Sequence, residues 1–441
     1  MPHTSWTEHI KESDVQQMLD AELAGTEVKI GLDAGLTNQG VNGVAIGYGA
    51  GQTNQGMNTV ALGVQAGQLT QNNNCVAIGN AAGNSNQSSG AVSIGQLAGV
   101  TTQGTRSVAL GYNSGNSLQG SNSIAIGNSA GNSSQQNEAV SIGYLAGQTS
   151  QGYRGIAIGH ASARQNQTQY GIAIGESAGY DLQGDSAVAI GNASGNTSQG
   201  SSSVAIGYEC GKTTQGVNSV AIGRQAALTN QGQSCVAVGY LAGQSDQTQY
   251  GIAVGRNAGQ FTQGDSSVAV GVNAGNLNQG YQAVSIGHLA GNASQGNRSV
   301  AVGLNAGHTA QGQAAIAIGQ DAGKSDQGTD SIAIGRIAGF ANQHANSIIV
   351  NASGAILNSD GTSRCYVAPI RNDTTKQNQV QYNSSTKEVS YVAQVISPIT
   401  TSGLDITGNA ALLSASSGGS SGQHLVIVVN GTPYKIKLEL V

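Results

Sequence analysis

Between Glu27 and Asn346 the apolar and polar positions recur with a period of sixteen, for twenty units and without an insertion. The units follow S-V-A-I-G-x-x-A-G-x-T-x-Q-G-x-x, and positions are numbered 1 to 16 from Glu27 onward. Position 2 is Val or Ile, and position 4 is Ile, Leu or Val. Position 3 is Ala or Ser in every unit but the first, where it is Lys29. This alternation has period two, so positions 2 and 4 share one face of a short strand and position 3 takes the other. Position 5 is Gly in all twenty units, from Gly31, Gly47 and Gly63 through Gly335. Position 9 is Gly except at Ala163 and Ala227, and position 8 is always Ala, Ser or Cys. Two glycines around a small residue mark a corner where the backbone takes positive φ or approaches another strand closely. A second corner falls near position 14, which is usually Gly.

Sixteen residues therefore form one coil carrying two short strands. The fold class is all-β, a parallel β-solenoid or β-roll of about twenty coils. At ~4.8 Å per coil such a stack is roughly 95 Å long. Position 13 is Gln in every unit, including Gln39, Gln55, Gln71, Gln87 and Gln343. Stacked amides at this spacing can form a ladder, each NH2 donating to the next carbonyl. They can instead donate to a corner carbonyl, and either role is structural. The Val and Ile side is read as the inward face. The Ala and Ser line at position 3 then faces away from the core, where small residues leave room for a second backbone. A second and third copy of the chain around a common axis fill that room most simply. The opposing arrangement has the two strands of one coil face each other through the alanines.

Composition narrows the reading. The chain has 441 residues with 67 Gly but only 4 Pro, 2 Phe and 1 Trp, so side chains for a wide core are scarce. Gly does not fall at every third position, which excludes collagen. Charged residues are 9% of the chain, a composition that suits disorder, but the strict apolar period argues for an ordered stack. The net charge of −5 gives no electrostatic case for nucleic acid or an anionic membrane. No stretch reaches the ~18 apolar residues of a membrane span. The opening "MPHTSWTEHIKESD" lacks the charged-then-apolar form of a secretory signal. Cys75, Cys210, Cys235 and Cys365 match no metal or redox spacing and read as small space-fillers.

The "SVAIG…A.A..G" signal over 27–346 resembles the heads of trimeric autotransporter adhesins. That resemblance implies a left-handed parallel β-roll with three chains side by side. The "TNQG" half of the unit is outside the family's motif, and the unit here is slightly longer. Downstream, "SRCYVAPIRNDTTKQNQVQYNSSTKEVSYV" resembles a segment of phage tail fibres and giant-virus fibre-like proteins, as does the final "NGTPYKIKL". The two resemblances together imply a homotrimeric fibre, anchored to a virion or cell surface and directed at a host glycan or protein receptor.

The chain divides accordingly. Residues 1–26 read as an N-terminal helical cap or anchor, with a capping box at Ser5 and Glu8 and a helix over 6–24. Residues 27–346 are the repeats, and 347–362 is a degenerate capping repeat in which Asn351 replaces Gly and Ser359 replaces Gln. Residues 363–393 form a fibre-like β segment with a turn at Asn383–Ser385. Residues 394–441 form a C-terminal β-hairpin domain, with a linker or loop at 414–422 and a turn at Asn430-Gly431.

Candidate chemistry is sparse. There is no P-loop, GxSxG or HExxH pattern, and the seven His are scattered over different repeat positions. The chain reads as no enzyme, with no cofactor and no metal. Tyr170 and Tyr250 both end "QTQY", five coils apart, and are candidate surface contacts. The leading functional expectation is a virion attachment fibre presenting a host-binding tip. The alternatives are a bacterial trimeric adhesin head and an ice-binding solenoid. Position 11 opens the Thr array that ice binding needs with Thr37 and Thr53, but Leu69, Gln165 and Phe261 break it.

Overall fold

The computed structural model describes residues 27–371, 378–393, 424–429 and 432–437. Each sixteen-residue unit is one coil of a parallel β-solenoid. Its first strand spans positions 2–4, as in Val44–Ile46, and its second spans 11–13, as in Thr53–Gln55. Residue i pairs with i+16 throughout, Val44 with Val60 and Ala45 with Ala61 in the first sheet, Gln39 with Gln55 in the second. A fixed shift of sixteen turns every repeat position into a column of side chains along the stack. In some coils the second rung shrinks to a single bridge, as at Gln71 and Ser133.

The two faces of the first strand are the reverse of the sequence expectation. Ala45, Ala61, Ala77 and Ala109 at position 3 are fully buried, whereas Leu62 and Ile286 at position 4 are 40% and 41% exposed. Positions 3 and 8 cluster together inside the coils, as with Ala45, Ala50, Ala61 and Ala66. The alanine line therefore faces the second strand of its own coil, and no further copy of the chain stands against it. The reason is volume. Two three-residue strands enclose a narrow space that already holds the position-13 Gln. Ala fits beside that amide, so Val and Ile are turned outward.

Five positions take positive φ in every coil but the third, where Thr70 does not. In the coil that begins at Gly43 they are Gly47 (+127°), Gly49 (+63°), Gly51 (+51°), Asn54 (+54°) and Asn58 (+55°). Position 5 needs Gly for a second reason as well. A Cβ at Gly47 would lie 2.5 Å from the carbonyl oxygen of Gly63 in the next coil. Positions 7, 12 and 16 are not confined to Gly: Asn, Ser and Asp are frequent there, and Leu97, Leu118 and Arg106 also take positive φ.

Both ends of the stack depart from the repeat. Lys29 replaces the inward Ala in the first coil and pairs with Glu27 at 3.4 Å, which puts charge on an open sheet edge. At the other end Ile349 takes position 3 and is fully buried, with Leu357 and Tyr366 packed on its cluster. Cys365–Ala368 adds a last parallel rung to Ile348–Asn351, now with a shift of seventeen, Ile348 facing Cys365. The stack belongs to a unit that ends at Ile370, and a second unit spans Arg371–Val441. Within the second unit Asn378–Tyr382 and Val389–Ala393 pair antiparallel, and Asn383 Oδ1 accepts from the amides of Ser385 and Thr386 in their turn. His424–Val429 and Thr432–Lys437 form a second antiparallel pair. The predicted helix over 6–24 and the linker at 414–422 lie outside the described residues.

Candidate functional site

The position-13 glutamines cross the interior of the coils. Gln55, Gln71 and Gln87 are all but fully buried, as is Gln343 at the far end. Each Nε2 has two hydrogens, and Gln71 uses one on the backbone carbonyl of Val60 and the other on Gln87 Oε1, both at 3.0 Å. The first bond ties the two strands of one coil together, and the second ties coil to coil. The ladder runs unbroken from Gln279 to Gln343. At the first step Gln39 donates to Val28 and Gly43 carbonyls, at 3.3 and 3.0 Å. Where Ser occupies position 3, its hydroxyl joins in, as Ser93 donating to Gln103 Oε1 at 2.7 Å.

The ladder is interrupted in several coils, both in the two that have Ala at position 9 and in coils that have Gly there, where Gln55 and Gln279 Oε1 are likewise buried without a partner. In most coils a Cβ on the position-9 Gly would press on the Gln of its own coil, as at Gly67, 2.8 Å from Gln71 Oε1. In the Ala163 and Ala227 coils that Cβ exists, and Gln167 Oε1 and Gln231 Oε1 are buried without a partner. Both alanines also sit in the left-handed region, at φ +42° and +48°.

The outer side of the first sheet is a continuous double stripe of Val, Ile and Leu from positions 2 and 4. It is roughly 10 Å wide and 95 Å tall, on the order of 1,000 Å2, well beyond the few hundred Å2 of a typical monomer's largest apolar patch. Position 6 borders the stripe, and in several coils it carries an aromatic or cationic side chain. Tyr144 and His160 stack with centroids 5.3 Å apart, and the Arg224 guanidinium lies 5.7 and 5.8 Å from the rings of Tyr208 and Tyr240.

Tyr170 and Tyr250 both sit at position 16, exposed, in the left-handed region. The residue before each, Gln169 or Gln249, lines a surface groove of about 400 Å3, which neither tyrosine itself lines. One is lined by Asn166, Thr168, Gln169 and Asp185 among others, the second by Asp246, Thr248, Gln249 and Asp265. Repetition of "QTQY" drew attention to the tyrosines alone. The grooves were also signalled by Thr at position 14, in place of the usual Gly, and by the "QGDS" that follows one coil later.

Among the described residues no group of three His, Cys, Asp or Glu could hold a metal ion. Cys75, Cys210 and Cys235 are buried free thiols, and burial pushes Cys210 up to about 12, the state of an inert space-filler. Among the described residues no helix is long and apolar enough to cross a membrane. The repeated architecture is that of a rigid, repetitive structural protein. Comparison of the chain with protein-family models, with curated proteins and with solved structures finds no match.

Proposed function

We propose that the chain is the shaft of an attachment fibre on a virus or phage particle, built from three copies, with residues 363–441 presenting a host-binding tip. The observation that carries this reading is the unpartnered Val/Ile stripe. An area on the order of 1,000 Å2 per chain exceeds the ~800 Å2 that each partner contributes to a stable interface. The stripe has no charged side chain at positions 2 or 4 along all twenty coils. A monomer in water gains nothing from such a surface, whereas a bundle of parallel copies buries it along its length. The three-fold count and the fibre setting come from the resemblance to adhesin heads and viral fibres. Function is then mechanical and multivalent, since a stiff shaft holds three tips together and raises their avidity.

The test is the absolute mass of the full-length chain by light scattering on a sizing column. The expected mass is three times 44.1 kDa. Ile222→Lys with Ile286→Lys charges the stripe at two side chains that are 37% and 41% exposed in the single chain, so each coil still folds. That variant is expected to run at the mass of one chain with unchanged circular dichroism. A compact wild-type monomer overturns the assembly, and a dimer overturns the three-fold count.

A further inference from the structure

We infer that the shaft itself carries two equivalent binding sites for a neutral glycan, one at Thr168–Asp185 and one at Thr248–Asp265. The first observation is congruence. The grooves lie five coils apart, and Thr168, Gln169 and Asp185 of one correspond position for position to Thr248, Gln249 and Asp265 of the other. Outward positions differ freely between most coils, yet here "QTQY" and "QGDS" recur together at a separation of eighty residues. The second observation is the residue type. Position 16 is Tyr only at Tyr170 and Tyr250, each directly after a groove-lining Gln, and both side chains are exposed.

The lining selects the ligand class. Neither groove is lined by Lys or Arg, which disfavours an anion. Arg154, near the first groove, is occupied by Glu138 at 2.6 Å. One or two carboxylates per groove, with no cluster of three acids, are too few to hold a divalent cation. What remains is hydroxyl, amide and carboxylate groups, which suit the vicinal hydroxyls of a sugar, with an exposed Tyr one residue beyond the lining Gln. Their hydrogen-bonding capacity is not exhausted internally. Thr168 and Thr248 each donate to the Gln carbonyl one coil on, at 2.9 and 2.7 Å, leaving their oxygens free to accept. Gln169 Nε2 reaches Asp185 Oδ2 only at 3.5 Å. Tyr153 precedes Gln169 in the same column and meets Tyr170 edge-on at 5.7 Å, whereas Gln233 holds that place beside the second groove. The first site is therefore the tighter of the two. The sites exist in a single chain and need neither the three-fold assembly nor the tip.

The full-length chain is titrated with maltohexaose, cellohexaose and chitohexaose, and with sialyllactose as the charged counterpart, by isothermal calorimetry and saturation-transfer NMR. The expected result is one neutral oligosaccharide binding at two sites per chain. Thr168→Gly and Thr248→Gly each restore the residue most coils carry, so thermal unfolding stays unchanged while one site is lost in each. Asp185→Asn weakens the first site about tenfold, and Tyr153→Gln brings its affinity down to that of the second. No binding by any neutral member, binding untouched by the Thr168→Gly/Thr248→Gly double variant, or preference for sialyllactose overturns the inference. None of these outcomes bears on the solution mass, so failure here is separable from failure of the fibre reading.

Discussion

Replacing Gln119 by Leu is expected to open the solenoid locally, and the size of the effect follows from the contacts. Gln119 is 2% exposed. Its Nε2 donates to the Val108 carbonyl at 2.9 Å and to Gln135 Oε1 at 3.2 Å, while its Oε1 accepts from Gln103 at 3.1 Å. Leu keeps most of the volume and supplies none of these bonds. Three buried polar groups are orphaned, at about 1–3 kcal/mol each, and partial relaxation places the net loss at about 3–6 kcal/mol. In a stack of coupled repeats this loss is felt by the mutated coil and its neighbours rather than by the whole. Native-state hydrogen exchange on the full-length chain reads it directly. Amides of the coils on either side of residue 119 should exchange roughly a hundredfold to ten-thousandfold faster, with distant coils unchanged. Leu118→Ala is the control, since Leu118 is its outward neighbour and 55% exposed. Exchange within about tenfold of wild type around residue 119, or a uniform rise along the stack, would refute the ladder as a cohesive element.

Ala163→Gly and Ala227→Gly should each stabilise their coil by up to about 1 kcal/mol, because relief of the left-handed Ala exceeds the added chain entropy of Gly; slower local exchange checks it. Gly63→Ala should cost about 3 kcal/mol or more, since φ is +131° and the new Cβ would lie 2.6 Å from the Gly79 carbonyl oxygen; thermal unfolding reads the loss. At the C-terminal end of the stack, the Tyr366 hydroxyl and the Arg364 guanidinium hold the Asp360 carboxyl below the usual carboxylate range. A lowered folded-state value means a stabilising contribution that is present above the unfolded pKa of about 3.9 and lost as pH falls through the folded one. Carbon-detected NMR titration should show the depressed midpoint. Asp360→Asn should remove this acid-side change, and high salt should shrink it.

The period of sixteen, the two strands and the corner glycines were legible because each leaves a column of one residue type. The direction of the first strand was not. Alternation states that Val44 and Ile46 oppose Ala45, and hydrophobicity alone then assigns the larger side chains to the core. That assignment assumes a core wide enough to take them. The deciding fact is the position-13 Gln, whose amide must reach the position-2 carbonyl across the same coil. A Gln that is both invariant and required inside leaves room only for Ala, and the sequence had offered both halves of that constraint. The correction also alters what the outer surface means. With Ala outside, the solenoid would have been a narrow rod with a smooth seam for close backbone contact. With Val and Ile outside, the seam is a wide apolar face, so assembly becomes a matter of removing that face from water. The same inversion explains the position-6 column. Tyr208, Arg224 and Tyr240 stand at the rim of the stripe, where a partner's edge would meet them. The grooves at Thr168 and Thr248 sit at positions 12, 14 and 15, in the second strand and its following corner, away from the stripe. The apolar stripe and the polar grooves therefore draw on different side chains of each coil, so the proposed assembly and the proposed binding would not compete.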